Sequence, residues 1–199
     1  MTKIKICGLF RMKHIEYVNE AKPDYIGFVF AKSKRQVTSQ QAMKYRKYLN
    51  KEIKVVGVFV NEEIEHIVNL LENKVIDTVQ LHGGESEEYI NKLRSKIFCP
   101  IIKAVQVKST EDVIKSQYTV ADYLLLDQGK GGTGKSFDWS LVPKLEKKFF
   151  LAGGINETNL KKAMLEVNPY AVDISSGVES NGEKDKEKIL KIVREIRNV

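Results

Sequence analysis

The chain has 199 residues, a net charge of +7 and two cysteines, Cys7 and Cys99. That length suits one domain with a sizeable core, and two cysteines exclude a disulfide framework and point to a reducing cytoplasm. The lysines are spread along the chain with no basic run interleaved with aromatics, so the charge reads as a Lys-rich surface and nucleic-acid binding is not expected. No stretch approaches the roughly 18 apolar residues of a membrane span, and the N-terminus enters a strand at once, without a signal-peptide pattern.

The first apolar run, Lys3-Ile4-Lys5-Ile6-Cys7-Gly8, ends on a cysteine and a glycine. The second is Tyr25-Ile26-Gly27-Phe28-Val29-Phe30. Thr38 and Gln41 then have capping-box spacing ahead of Tyr45 and Leu49, which predicts a helix. The third run is Val55-Val56-Gly57-Val58-Phe59-Val60. Asn61 follows it as the expected cap of a helix carrying Ile64, Ile67, Val68 and Leu71 at i, i+3, i+4 and i+7. The fourth, Thr78-Val79-Gln80-Leu81-His82-Gly83, leads to Ser86 and a helix with Tyr89, Ile90 and Leu93. The fifth is Ile101-Ile102-Lys103-Ala104-Val105, after which residues 106–121 leave room only for a short helix near Thr110–Tyr118. The sixth, Tyr123-Leu124-Leu125-Leu126-Asp127, enters a Gly-rich stretch over 128–138 that cannot be regular helix. The seventh is Phe149-Phe150-Leu151-Ala152-Gly153-Gly154, followed by Asn156 and a helix with Leu160, Ala163, Met164 and Val167. The eighth, Val172-Asp173-Ile174-Ser175-Ser176-Gly177, precedes a last helix carrying Ile189, Ile192, Val193 and Ile196.

Strands alternating with helices imply parallel pairing through right-handed crossovers. Near-continuous apolar strands imply a sheet covered on both faces. The expected fold is α/β, a (β/α)8 TIM barrel of near-minimal size occupying residues 1–199 as one domain, at roughly 25 residues per βα unit. An open, doubly wound sheet shares the same periodicity. In a barrel, the C-terminal ends of the strands build the active site, which places Cys7, His82, Asp127 and Asp173 together.

Each of these residues has a plain structural reading as well. A buried cysteine is often a small hydrophobe, but the end of strand one, beside Gly8, suits a base or nucleophile. Asp127 closes an apolar strand, where a carboxylate is costly without a task or a partner, and Asp173 reads similarly. His82 is either a site residue or a hydrogen-bonded structural histidine. Three separated histidines and no Cys-x-x-Cys give no recognisable metal spacing. Cys99, before Pro100, reads as structural, and Trp139 as packing. Gly153-Gly154 and Ser175-Ser176-Gly177 follow strands seven and eight, where barrels of this kind bind phosphate. Residues Gly129 to Ser136 match GxxxxGK[ST], yet no helix opens at the lysine, so a mobile lid is the better reading of Gly131-Gly132-Thr133-Gly134.

In combination, these motifs resemble the phosphoribosylanthranilate isomerase family of tryptophan biosynthesis. The matching stretches run in order along the whole chain. They begin with Lys5-Ile6-Cys7-Gly8-Leu9, Gly27-Phe28-Val29-Phe30 with Ser33-Lys34-Arg35, and Val56-Gly57-Val58-Phe59-Val60. They continue through Val79-Gln80-Leu81-His82-Gly83, Leu125-Leu126-Asp127, Phe137-Asp138-Trp139 and Leu151-Ala152-Gly153-Gly154-Ile155. They close with Val172-Asp173-Ile174-Ser175-Ser176-Gly177-Val178-Glu179 and Lys184-Asp185. Lys34 and Asn181 depart from prolines usual or frequent in the family. The resemblance implies a cofactor-free Amadori rearrangement of a phosphoribosyl substrate, with Asp127 as general acid and Cys7 as general base. It also implies Arg35 on the anthranilate carboxylate, Asp173 near a cationic imine with His82 beside the substrate, and Gly154, Ser176 and Gly177 on the phosphate. No metal or membrane is implied, and both a monomer and a homodimer are compatible with it. The related ribonucleotide isomerases of histidine biosynthesis usually carry an acidic residue where this chain has Cys7. A non-catalytic phosphosugar-binding barrel has no need of both proton-transfer residues.

Overall fold

The computed structural model describes residues 2–129 and 137–198. Eight parallel strands close into a barrel in chain order: β1 Lys3–Cys7, β2 Tyr25–Val29, β3 Lys54–Phe59, β4 Thr78–Leu81, β5 Ile101–Gln106, β6 Tyr123–Asp127, β7 Phe149–Leu151 and β8 Ala171–Ile174. β8 pairs back onto β1, with Lys5 opposite Asp173. The helices are α1 Met12–Ala21, α2 Ser39–Tyr48, α3 Ile64–Glu72, α4 Glu87–Arg94, α5 Thr110–Ser116, α6 Leu160–Val167 and α7 Lys186–Arg197. Among the described residues only a 3-10 turn, Trp139–Leu141, lies between β6 and β7. The Gly131-Gly132-Thr133-Gly134 segment lies outside the described residues.

Local chemistry sets the helix starts. Thr38 and Gln41 form the expected capping box, and Ser86 accepts the Tyr89 N–H. Asn61 does not cap α3, because Glu63 takes the N-cap position. Asn61 instead adopts a left-handed φ of 49°, and its side-chain oxygen accepts from Gly84 N–H at 2.9 Å. It thereby ties the β3 loop to the β4 loop.

The alternation of each strand divides the core in two. Ile4, Ile6, Phe28, Phe59, Val79, Leu124, Leu126, Val172 and Ile174 pack against the helices. Cys7, Val56, Val58, Ile102, Leu125, Phe150, Ala152 and Ala171 pack inside the barrel. Sequence alone shows these runs as uniformly apolar, since both faces are buried.

The N-terminal face is held by a device that repeats at alternate strands. The carboxylates of Asp24, Asp77 and Asp122, each just before an even-numbered strand, accept a backbone N–H from the preceding strand at Ile4 (3.0 Å), Val55 (2.8 Å) and Ile101 (2.7 Å). Each is also paired with an arginine: Arg197, Arg46 and Arg94 respectively.

Inside α1, the imidazole of His14 is buried; Nδ1 accepts from Phe10 N–H at 3.3 Å, and Glu183 lies 3.9 Å from Nε2. Burial, with Lys184 nearby, pulls this histidine down to about 4 from 6.5. Between those two pH values the unfolded chain takes up a proton that the folded chain does not, so folding stability falls as pH falls. His14→Met is expected to flatten that part of the stability-versus-pH curve, read as melting temperature across the same range. An unchanged slope would assign the acid sensitivity to other groups.

Candidate active site

Beyond the C-terminal ends of the strands lies a cavity of about 240 Å3 lined by Cys7, Arg35, His82, Asp127, Asp173 and the loops Gly153–Ile155 and Ser175–Ser176, among others. A wider hollow of about 500 Å3 lies at the opposite end, lined by residues such as Thr2, Lys147, Leu165 and Tyr170. It gathers none of the sequence-derived site residues. The C-terminal cavity gathers all of them except Gly177.

Cys7 ends β1 with its side chain inside the barrel. Its thiol has room because β2 carries Gly27 there; a Cβ at Gly27 would lie 2.7 Å from the sulfur. Two residues earlier on the same inward column sits Lys5, fully buried, with its ammonium 2.8 Å from Asp173 Oδ2. Burial pushes the Cys7 thiol up from its ordinary value, while the Lys5 ammonium opposes that shift. Despite its burial, Lys5 is held in its charged form by Asp173 and Cys7. Asp173 Oδ1 is buried with no hydrogen-bond partner among the described residues, and Asp173 borders the cavity.

Asp127 ends β6 and is largely buried. Its Oδ1 accepts Gln128 N–H at 2.7 Å, and its Oδ2 lies 3.4 Å from His82 Nε2. Gln80 Nε2 lies 2.8 Å from His82 Nδ1. The His82 ring is held between Gln80 and Asp127. His82 is thus tied to Asp127. Sequence reading did not connect Gln80 to the site, although its period-2 relation to His82 places both on one face of the strand.

Arg35 is nearly buried, and its guanidinium is already engaged: Nε and Nη2 donate to the two oxygens of Glu179 at 2.6 and 2.8 Å. Burial alone would raise Glu179, yet Arg35 and Lys184 hold it at about 2. Glu179 was legible only as part of a family motif, and its pairing with Arg35 spans 144 residues of chain.

The loops after β7 and β8 touch. A Cβ at Gly177 would lie 2.0 Å from the Ile155 carbonyl oxygen, so glycine there lets the two loops meet. The side chains of Asn156 and Asn159 both donate to the Gly154 carbonyl, at 3.1 and 3.0 Å, fixing the first loop. A 3-10 turn opens at Ser176 in the second. Cys99 is partly buried and its thiol is pushed up to about 11 by burial. Among the described residues no group of three or more His, Cys, Asp or Glu side chains is arranged to hold a metal ion, and no helix is long and apolar enough to cross a membrane.

Residues 4–195 match the family model described as N-(5'-phosphoribosyl)anthranilate (PRA) isomerase. The N-(5'-phosphoribosyl)anthranilate isomerase of Endomicrobium trichonymphae is 51% identical over 203 residues, covering 100% of both chains. The crystal structure of phosphoribosyl anthranilate isomerase from Thermotoga maritima superposes with a TM-score of 0.88 at 34% identity, covering 100% of each chain. Another phosphoribosyl anthranilate isomerase, solved with reduced 1-(o-carboxyphenylamino)-1-deoxyribulose 5-phosphate, gives a TM-score of 0.84 at 32% identity, again covering 100% of each chain.

Proposed function

The chain belongs to the N-(5'-phosphoribosyl)anthranilate isomerase family, and we propose how its own residues divide the work of that reaction. The enzyme isomerises N-(5'-phosphoribosyl)anthranilate to 1-(2-carboxyphenylamino)-1-deoxyribulose 5-phosphate in tryptophan biosynthesis. Asp127 gives a proton to the ring oxygen as the C1–O bond breaks and the anilino nitrogen lone pair forms a protonated C1=N bond. Cys7 then takes the proton from C2, and the electron pair of that C–H bond becomes the C1=C2 bond of an enolamine. Loss of the C2 hydroxyl proton and protonation of C1 complete the ketone. The cationic imine itself acidifies the C2 proton, so the residues need no metal or organic cofactor for the step.

The observation that supports this reading is that a thiol and a carboxyl group, at the ends of β1 and β6, line one cavity together with Asp173, whose Oδ1 is unpartnered. A carboxylate oxygen in that position stabilises the cationic imine. Gly154, Ser176 and Gly177 hold the phosphate through the two touching loops. Arg35 takes the anthranilate carboxylate with the N–H groups that Glu179 leaves available. We place the enzyme in the cytoplasm, where reducing conditions keep Cys7 as a thiol.

The test compares the reduced product analogue with the same molecule lacking its aromatic carboxylate. Arg35→Ala is expected to weaken the first by roughly 1.5–3 kcal/mol, the scale of a charge-assisted hydrogen bond, and to leave the second unchanged. Equal weakening of both ligands would assign Arg35 to holding the loop, and would remove the proposed orientation of the substrate.

A further inference from the structure

After β8 the chain makes a two-stranded hairpin, β9 Glu179–Ser180 and β10 Glu183–Lys184. Asn181 and Gly182 turn it with φ of 54° and 80°, the pair of left-handed conformations that an Asn-Gly hairpin turn uses. The hairpin puts Lys184 under the site. Only 3% of this lysine is exposed. Its ammonium donates to Ser175 O at 2.9 Å, to Ser175 Oγ at 3.4 Å and to Glu179 Oε1 at 2.7 Å. One carboxylate is therefore shared by two cations, Lys184 and Arg35.

The charge balance of this triad matters to an incoming anion. Arg35 paired with Glu179 alone is neutral, and a neutral pair attracts a carboxylate weakly. Lys184 adds a second positive charge where water does not screen it; burial pulls its ammonium down to about 8, and below that pH the triad carries a net +1. Arg35 lines the cavity, whereas Lys184 and Glu179 do not. The surplus charge therefore reaches a ligand through the guanidinium.

We propose that Lys184 is a specificity-determining positioning residue: by sharing Glu179 with Arg35, it leaves the guanidinium the surplus positive charge that selects a carboxylate-bearing substrate. This rests on the reading of Arg35 given above. A purely structural Lys184 would only tie down Ser175 and the hairpin.

The experiment measures dissociation constants for the reduced product analogue and its carboxylate-free counterpart. The proteins compared are the wild type, Lys184→Met, Arg35→Ala, the Lys184→Met/Arg35→Ala double variant and Lys184→Met/Glu179→Gln. Lys184→Met is expected to weaken the carboxylate ligand about tenfold and to leave the carboxylate-free ligand unchanged. Added to Arg35→Ala it should cost nothing more, because both changes remove one interaction. Lys184→Met/Glu179→Gln should recover the wild-type preference, since Arg35 is again left with its full charge. Equal weakening of both ligands by Lys184→Met, full additivity with Arg35→Ala, or no recovery in the Glu179→Gln background would each overturn the proposal. If Lys184→Met alone does not fold, Lys184→Gln, which keeps amide donors near Ser175 and Glu179 but removes the charge, carries the decision: an undiminished preference for the carboxylate ligand in it would overturn the proposal. If Arg35→Ala leaves the preference intact, the reading of Arg35 has failed. If Arg35→Ala abolishes the preference and Lys184→Met keeps it, only the role of Lys184 has failed.

Discussion

Cys7→Ser is expected to lose about 10²–10⁴ in kcat, the usual contribution of a positioned acid or base, while still binding the reduced product analogue. A serine hydroxyl fits the space that Gly27 leaves for the thiol, so the barrel has no reason to rearrange. What disappears is the group that, once ionised, takes the C2 proton. Burial raises the Cys7 thiol above its ordinary value, so the rising limb of kcat should lie toward alkaline pH. Four charged groups act on that thiol: Lys5, Lys184 and Arg35 favour the thiolate, and Asp173 opposes it. Lys5→Met should therefore move the limb to still higher pH. Alkylation of Cys7 in a Cys99→Ser background reads the same titration without turnover. If Cys7→Ser keeps most of its kcat, the base is another group. If Lys5→Met leaves the limb in place, the ammonium does not tune the thiol.

The barrel could be read from the chain because each strand is a short apolar run bounded by turn residues, and each helix repeats its apolar residues at 3.6-residue spacing. The C-terminal ends of the strands could be read for a related reason: a cysteine or carboxylate closing an apolar run stands out against it. Such residues are expected to meet at one end of the barrel, and Cys7, His82, Asp127 and Asp173 line one cavity there. Local pattern mistakes Asn61 for a helix cap because the residue has the right chemistry two positions too early. The side chain finds a better acceptor role across the loop, on Gly84 N–H.

Interactions between distant segments were not legible. Lys5 and Asp173 are 168 residues apart, and Arg35 and Glu179 are 144 apart. Barrel closure sets these pairings by joining β8 to β1. The sequence shows Lys5 inside an apolar run, an apparent violation of burial rules, without showing the carboxylate that makes it tolerable. The aspartates before β2, β4 and β6 did carry a signal. Asp24, Asp77 and Asp122 each stand one residue ahead of a run, on alternate strands. A polar residue at a strand start reads as an ordinary turn until the register shows which N–H it accepts. Gly177 stands after strand eight, where close approach to a phosphate is expected; its missing Cβ also makes room for the Ile155 carbonyl, a contact between two loops that no local pattern shows.

Asp127→Asn is expected to reduce kcat on the same scale as Cys7→Ser, about 10²–10⁴, with little change in affinity for the reduced product analogue. The substitution is nearly isosteric. An asparagine oxygen still accepts the Gln128 N–H that Asp127 Oδ1 accepts at 2.7 Å, so the start of the β6 loop keeps its anchor. What asparagine lacks is a proton it can give to the ring oxygen. The competing account makes His82 the donor, with Asp127 only orienting it across the 3.4 Å contact. His82→Gln separates the two. If Asp127 transfers the proton, His82→Gln loses an orienting neighbour and costs far less than Asp127→Asn. If the imidazole is the donor, His82→Gln costs as much, and the double variant costs no more than either single one because both break one relay. Steady-state rates for the three variants, following the loss of phosphoribosylanthranilate fluorescence, decide between them. Parity between His82→Gln and Asp127→Asn would move the role of general acid from the end of β6 to the end of β4.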